Sequence, residues 1–184
     1  MTITSTNTVT TDISYTISET TGNTQNSAND SLGYSVVYTQ GTGNPGAGTS
    51  ASQVDGQVKN TGILSSGSTL ILDFESIPKS TFGSSYTLNF KEVKQFIFYN
   101  QGTGTADAIL VQATGSNAIT GFFNRESGNF KVNPYGSFVY SNYFGDNEVS
   151  SSNRYLHFKN TSEGAGAGAS GDIEYSYILI GVTG

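Results

Sequence analysis

Apolar and polar residues alternate along most of this 184-residue chain, and this period of two constrains the fold more than any other feature. A β-strand places successive side chains on opposite faces, whereas a helix needs apolar residues three to four positions apart. In STLILDFE, for example, Leu70, Leu72 and Phe74 fall on one face, and Ile71 and Asp73 fall on the other. Helical periodicity is nearly absent, so the sequence predicts an all-β protein.

The spacing of the predicted strands indicates how they are arranged. Roughly ten short strands follow one another at intervals of about 8–15 residues, with turn residues between them, which is typical of an antiparallel sandwich. The last segment, DIEYSYILIGV, is the most apolar and predicts a central strand that is paired on both sides. We therefore expect an antiparallel β-sandwich, jelly-roll-like in topology, with an extended N-terminal arm.

The N-terminal region differs in composition from the remainder. The first 58 residues contain no Lys or Arg, and Thr occupies every even position from 2 to 10. Residues 20–31 are all polar or small, which predicts a loop. We expect residues 1–30 to form an arm, extended or ordered on a partner, and residues 31–184 to form a single β-sandwich domain. The arm residues expected to contact a partner are Ile3, Val9 and Ile13.

Charge and composition exclude several classes of function. Only 12% of the residues are charged, against roughly 25% in an average soluble domain. The net charge is −6 and the basic residues are scattered, which argues against nucleic-acid binding. No apolar run is long enough to span a membrane, and the N-terminus has neither the basic nor the apolar region of a signal peptide. The chain has no cysteine, so disulfides and thiol nucleophiles are excluded.

No motif in the sequence predicts an enzyme. His157 is the only histidine, and alternation in RYLHFKN places it opposite Leu156 and Phe158, so we expect it on the exposed face of a strand. The glycine-rich runs GTGNPGAG and GAGAGASG lack the Lys-Ser/Thr ending of a phosphate-binding loop. We predict a non-enzymatic protein with no catalytic residues and no cofactor.

Acidic residues provide the only candidates for a metal site. Three pairs are spaced two residues apart: Asp73/Glu75, Asp146/Glu148 and Asp172/Glu174. The segment around Asp146 and Glu148 is the most loop-like, so these two residues are the calcium candidates. Because the segment lacks the dense Asp/Asn spacing of a dedicated calcium loop, no specific metal site is predicted.

Aromatic residues cluster between positions 135 and 155. Phe138 and Tyr140 alternate within a predicted strand, which favours the core. Tyr135 lies in a proline turn, and Tyr143 and Phe144 precede a polar loop, so these three are the candidate contact residues. Exposed aromatic side chains anchor protein interfaces or stack on sugar rings.

Several segments give the chain a resemblance to small β-sandwich virion proteins of tailed bacteriophages, of the capsid decoration (cement) or head-fibre type. They are the Ser/Thr/Gly/Asn-rich start, GSTLILDFESI, FKVNPYGSFVYSN around the proline turn, and the terminal YSYILIG. The resemblance implies a non-enzymatic homo-oligomer, often a trimer, made in the host cytoplasm and bound to the outside of the major capsid protein lattice. It also implies that an N-terminal arm reaches the capsid or a neighbouring subunit, but it assigns no functional residue.

A carbohydrate- or receptor-binding module, such as a fibre tip or a lectin-like domain, is the alternative. In that case Tyr135, Tyr143 and Phe144 would contact a glycan, with a calcium ion at Asp146 and Glu148. Capsid decoration remains the predicted function, with the virion surface as the predicted location.

Overall fold

The computed structural model describes residues 6–21, 24–40, 53–81, 84–123, 128–142, 148–161 and 171–184. The chain divides into two compact units, Met1–Gln40 and Gly41–Gly184. All regular elements in the described ranges are strands, so none of them is a helix that could cross a membrane. The predicted all-β class is therefore confirmed.

The first unit contains two long strands, β1 (Thr6–Thr21) and β2 (Thr24–Gln40), paired antiparallel. The ladder runs without a register shift from the pair Thr6/Thr39 to the pair Thr21/Thr24. Residues 24–31 therefore belong to a strand, and the predicted loop over residues 20–31 is wrong there. Backbone N–H and C=O groups make the ladder, so a run of polar side chains does not prevent it.

The second unit contains eleven strands, and ten of them, all except the two-residue β3, form two four-stranded antiparallel sheets and a separate hairpin. The strands are β3 (Gln53–Val54), β4 (Gly56–Leu64), β5 (Thr69–Asp73), β6 (Ile77–Thr81), β7 (Ser84–Leu88), β8 (Phe90–Asn100), β9 (Ile109–Gln112), β10 (Asn129–Val132), β11 (Ser137–Ser141), β12 (Tyr155–Asn160) and β13 (Ile173–Thr183). One sheet has the order β10-β9-β12-β5, the other has the order β11-β8-β13-β4, and β6 pairs with β7. The C-terminal strand β13 lies between β8 and β4, as its apolar sequence predicted.

The pairing of the eight sheet strands is that of a jelly roll. Taken in chain order, the first pairs with the eighth (β4–β13), the second with the seventh (β5–β12), the third with the sixth (β8–β11) and the fourth with the fifth (β9–β10). This nested pairing winds a folded ribbon into two sheets, which is the double Greek key of the jelly roll. The β6–β7 hairpin is inserted in the connection between β5 and β8.

Aromatic rings from both sheets fill the space between them. Phe98 on β8 stacks on Phe158 on β12 with ring centroids 4.4 Å apart, and Phe98 also stacks on Tyr175 of β13 at 5.7 Å. Leu72 and Phe74 are buried while Ile71 is exposed, as the alternation predicted. Burial of these large apolar side chains is the main stabilising contribution to the sandwich.

Two bulges interrupt the ladder between β8 and β13, and one of them buries an ion pair. The register shift between Ile180 and Gly181 leaves Lys94 without a partner on β13. Lys94 and Glu92 are both fully buried, and the Lys94 Nζ lies 2.5 Å from a Glu92 carboxylate oxygen. A Cβ atom at residue 181 would lie 2.1 Å from the Glu92 carbonyl oxygen, so glycine is required at this bulge.

Candidate functional site

The turn between β10 and β11 holds Tyr135 in a conformation that few residues other than glycine adopt. The Gly136 N–H donates to the Asn133 carbonyl at 2.9 Å, which closes a four-residue turn with Pro134 at its second position. Tyr135, at the third position, has φ = 58°. A turn with a positive φ at this position normally carries glycine or asparagine there, so the tyrosine is kept at a conformational cost. Backbone strain of this kind is characteristic of functional positions.

Three large hydrophobic residues of β10, β11 and the turn between them are exposed, and we call them the aromatic edge: Phe130, Tyr135 and Val139. Their exposed fractions are 49%, 62% and 55%. Phe130 contacts Phe138, with ring centroids 5.9 Å apart, and Phe138 packs against the core. Strands β10 and β11 are the terminal strands of their two sheets, and the turn that holds Tyr135 connects them. Exposed aromatic side chains such as Phe130 and Tyr135 are typical of protein-contact surfaces.

Other aromatic residues of this region have the predicted positions or lie outside the described ranges. Phe138 and Tyr140 are partly buried and pack against the core, as predicted. Tyr143 and Phe144 lie outside the described residues. The structure therefore describes three of these five aromatic residues, namely Tyr135, Phe138 and Tyr140.

The arm candidates are placed only in part. Ile3 lies outside the described residues. Val9 and Ile13 lie on β1, where their register partners on β2 are Val36 and Leu32.

The calcium candidates are not brought into a described metal site. Asp146 lies outside the described residues, and the exposed Glu148 uses its carbonyl to accept a hydrogen bond from the Asn153 side chain at 2.5 Å. Across the described ranges, no group of three or more His, Cys, Asp or Glu side chains is placed to hold a metal ion.

Another predicted carboxylate pair, Asp73 and Glu75, binds Arg154. The Arg154 Nε donates to one Asp73 oxygen at 2.9 Å, Nη2 donates to the other, and Nη1 donates to Glu75 at 2.6 Å. The hydrogen bond to Asp73 is the largest cause that raises the pKa of Arg154 above its usual value. The guanidinium carbon also lies 4.8 Å from the centre of the Tyr155 ring. The cluster fixes the start of β12 to the end of β5 and is structural in its geometry.

His157 lies on the outer face of its sheet, as predicted. Its neighbours Leu156 and Phe158 are fully buried, whereas His157 is half-buried and lies opposite Ile71 on β5 and Gln112 on β9. Partial burial lowers the pKa of His157 below its usual value. Among the described residues, no carboxylate forms an ion pair with His157. The surroundings described for it are therefore not those of an activated base.

The surface hollows in the described part of the second unit include the following two. The first, about 430 Å³, is lined by small residues of the segments 113–120 and 152–153. The second, about 580 Å³, lies between β4 and the β6–β7 hairpin and includes Lys59, Lys79 and Tyr86. No local sequence pattern marks these three residues, because they become neighbours only through the topology.

Comparisons of the chain with protein-family models, with curated proteins and with solved structures found no significant match.

Proposed function

We propose that this chain is a non-enzymatic virion structural protein that binds the outer surface of a capsid and stabilises the particle. The observation that carries the proposal is the aromatic edge, where Tyr135 is held exposed at a conformational cost. In this proposal the edge supplies contacts between subunits of a homotrimer, and the first unit supplies the contact with the major capsid protein.

The first unit supports this division of roles. It consists of the β1–β2 hairpin, and a two-stranded hairpin by itself is marginally stable in water. Residues 1–40 contain no basic residue, so recognition would depend on backbone pairing and apolar contact rather than on positive charge. Repeated sites on a symmetric shell would offset the entropic cost of ordering the unit on its partner.

The sandwich supports it in a different way. The jelly roll is a rigid scaffold, and its aromatic edge presents large side chains with little conformational freedom left to lose on association. Copies that meet through this edge on a shell would reinforce one another's attachment, because each bound unit raises the effective concentration of the next.

Co-sedimentation tests the proposal directly. The purified chain is mixed with capsids assembled from the major capsid protein of the same genome, and a variant lacking residues 1–30 is the comparison. We expect the full chain to bind and raise the temperature at which the particle opens. We expect the deletion variant to keep the circular dichroism spectrum of a folded sandwich but to remain in the supernatant. Equal occupancy by the two proteins would overturn the proposed role of the N-terminal region.

A further inference from the structure

We propose that the hollow between β4 and the β6–β7 hairpin binds a sugar residue that carries a carboxylate, such as a uronic or sialic acid. The hollow has a volume of about 580 Å³, within the range of small-ligand sites. Its lining residues are Val58, Lys59, Asn60, Pro78, Lys79, Ser80, Ser85, Tyr86 and Thr87. The charge and the chemical character of these side chains indicate the class of ligand.

The charge of the hollow opposes the charge of the whole chain. The chain has a net charge of −6 and eight basic residues, yet two of the eight line this hollow and none of its lining residues is acidic. Lys59 is exposed and makes no ion pair within the described residues. No described ion pair neutralises either ammonium group, so a ligand carboxylate in the hollow would accept charge-assisted hydrogen bonds from them.

The geometry of the hairpin fixes one lysine beside an aromatic ring. Lys79 and Tyr86 are directly opposite each other in the β6–β7 ladder, so they share one face of the hairpin. The Lys79 Nζ donates to the Gln57 carbonyl at 2.7 Å, which ties the hairpin to β4 two residues before Lys59. One of its three N–H donors is thus used in positioning, and the ammonium keeps capacity for a ligand.

The aromatic ring favours a sugar over a simple anion. Tyr86 is 43% exposed, and the face of a tyrosine ring packs against the C–H face of a pyranose. Ser80 and Ser85 are the next pair of the ladder and alternate to the other face of the hairpin, so the ring and the two ammonium groups carry the recognition. An aromatic platform beside two cations matches a carboxylated saccharide.

Sugar binding is measured on the isolated full chain, without capsids. The proposed sugar binding and the proposed capsid binding are therefore tested independently, and either can be disproved without the other. The probes are tri-galacturonate and sialyllactose, with maltotriose as the neutral control and acetate as the simple anion. Binding is followed by backbone amide chemical shifts in NMR titrations at low and high salt. We expect the acidic sugars to shift amides of β4, β6 and β7, to bind more weakly at high salt, and to bind more tightly than maltotriose or acetate.

Matched variants give the sharper test. Lys59→Gln and Tyr86→Ala should each weaken binding of the acidic sugars about tenfold, the effect of losing one charge-assisted bond or one ring contact. Ile71→Ala removes an exposed hydrophobic side chain from the other sheet and should leave binding unchanged. Lys79→Gln removes a charge together with the hydrogen bond to Gln57, whereas Lys79→Arg keeps the charge and should retain binding. The proposal is overturned if maltotriose binds as tightly as the acidic sugars, if neither acidic sugar binds, or if Ile71→Ala weakens binding as much as Tyr86→Ala.

Discussion

The two units of the chain are stabilised in different ways. The second unit buries aromatic and aliphatic side chains between two sheets and contains all eight basic residues. The first unit is described as one uninterrupted backbone ladder of 16 paired residues on β1, and it contains no basic residue. A two-stranded ladder by itself is only marginally stable. We therefore expect most of the folding stability to reside in the sandwich, and we propose that the N-terminal unit is suited to binding a partner.

The largest expected effect is on the free energy of unfolding, and it is tested by replacing one apolar residue in each unit. Phe98→Ala removes a ring that stacks on Phe158 and Tyr175, so it should lower the free energy of unfolding by about 3–5 kcal/mol. The matched variant Ile13→Ser in the first unit should change the unfolding of the sandwich by less than about 0.5 kcal/mol. Urea denaturation followed by tyrosine fluorescence measures both. Equal destabilisation by the two variants would show that the units do not divide these roles.

The buried ion pair gives the next effect. Lys94→Met leaves the Glu92 carboxylate buried without its cation, and we expect a loss of about 3 kcal/mol. The double variant Lys94→Met/Glu92→Leu removes both charges and should recover most of that stability. Chemical denaturation of the two variants and the wild type measures these changes in the free energy of unfolding. If the double variant is less stable than Lys94→Met, the ion pair is not the cause.

Tyr135 gives a smaller effect on stability and a clear effect on association. Glycine relieves the positive φ while alanine retains it, so Tyr135→Gly should be more stable than Tyr135→Ala by about 1 kcal/mol. Both variants remove the aromatic side chain, so both should shift the chain from trimer to monomer in native mass spectrometry. A trimer that persists in both variants would exclude the aromatic edge as the subunit contact.

The smallest expected effect concerns pH. Because burial lowers the pKa of folded His157 below its unfolded value of about 6.5, the unfolded state binds more protons as the pH falls through that value. Stability should therefore decrease slightly on going from pH 7.5 to below pH 6, and this part of the decrease should be absent in His157→Gln. Thermal melts across this range provide the measurement, with the wild type and the variant in the same buffers.

Strand alternation predicted much of the fold because its signal is local. Leu70, Leu72 and Phe74 in one strand, and the apolar strand β13, were enough to indicate a sandwich and its central strand. The strand over residues 24–31 was missed because its pairing depends on backbone groups and not on side-chain pattern. The burial of Lys94 was also beyond prediction, since a bulge changes which face a residue occupies without leaving a mark in the sequence.

The candidate sites also differ in whether the local sequence reveals them. Tyr135 was recognised because its proline turn is contiguous in the sequence, although the positive φ that distinguishes it was not. The hollow was missed because Lys59 lies on β4 while Lys79 and Tyr86 lie on the inserted hairpin, and only the folded chain brings these elements together. Contiguous sites are accessible to sequence analysis, whereas sites assembled across elements require the topology.

Hydrogen exchange of the full chain, alone and bound to capsids, tests the division of roles most directly. The account predicts that capsid binding slows exchange in peptides from Thr6–Gln40 and leaves the core strands β8 and β13 unchanged. Slower exchange confined to the sandwich, with Thr6–Gln40 exchanging as in the free protein, would contradict it.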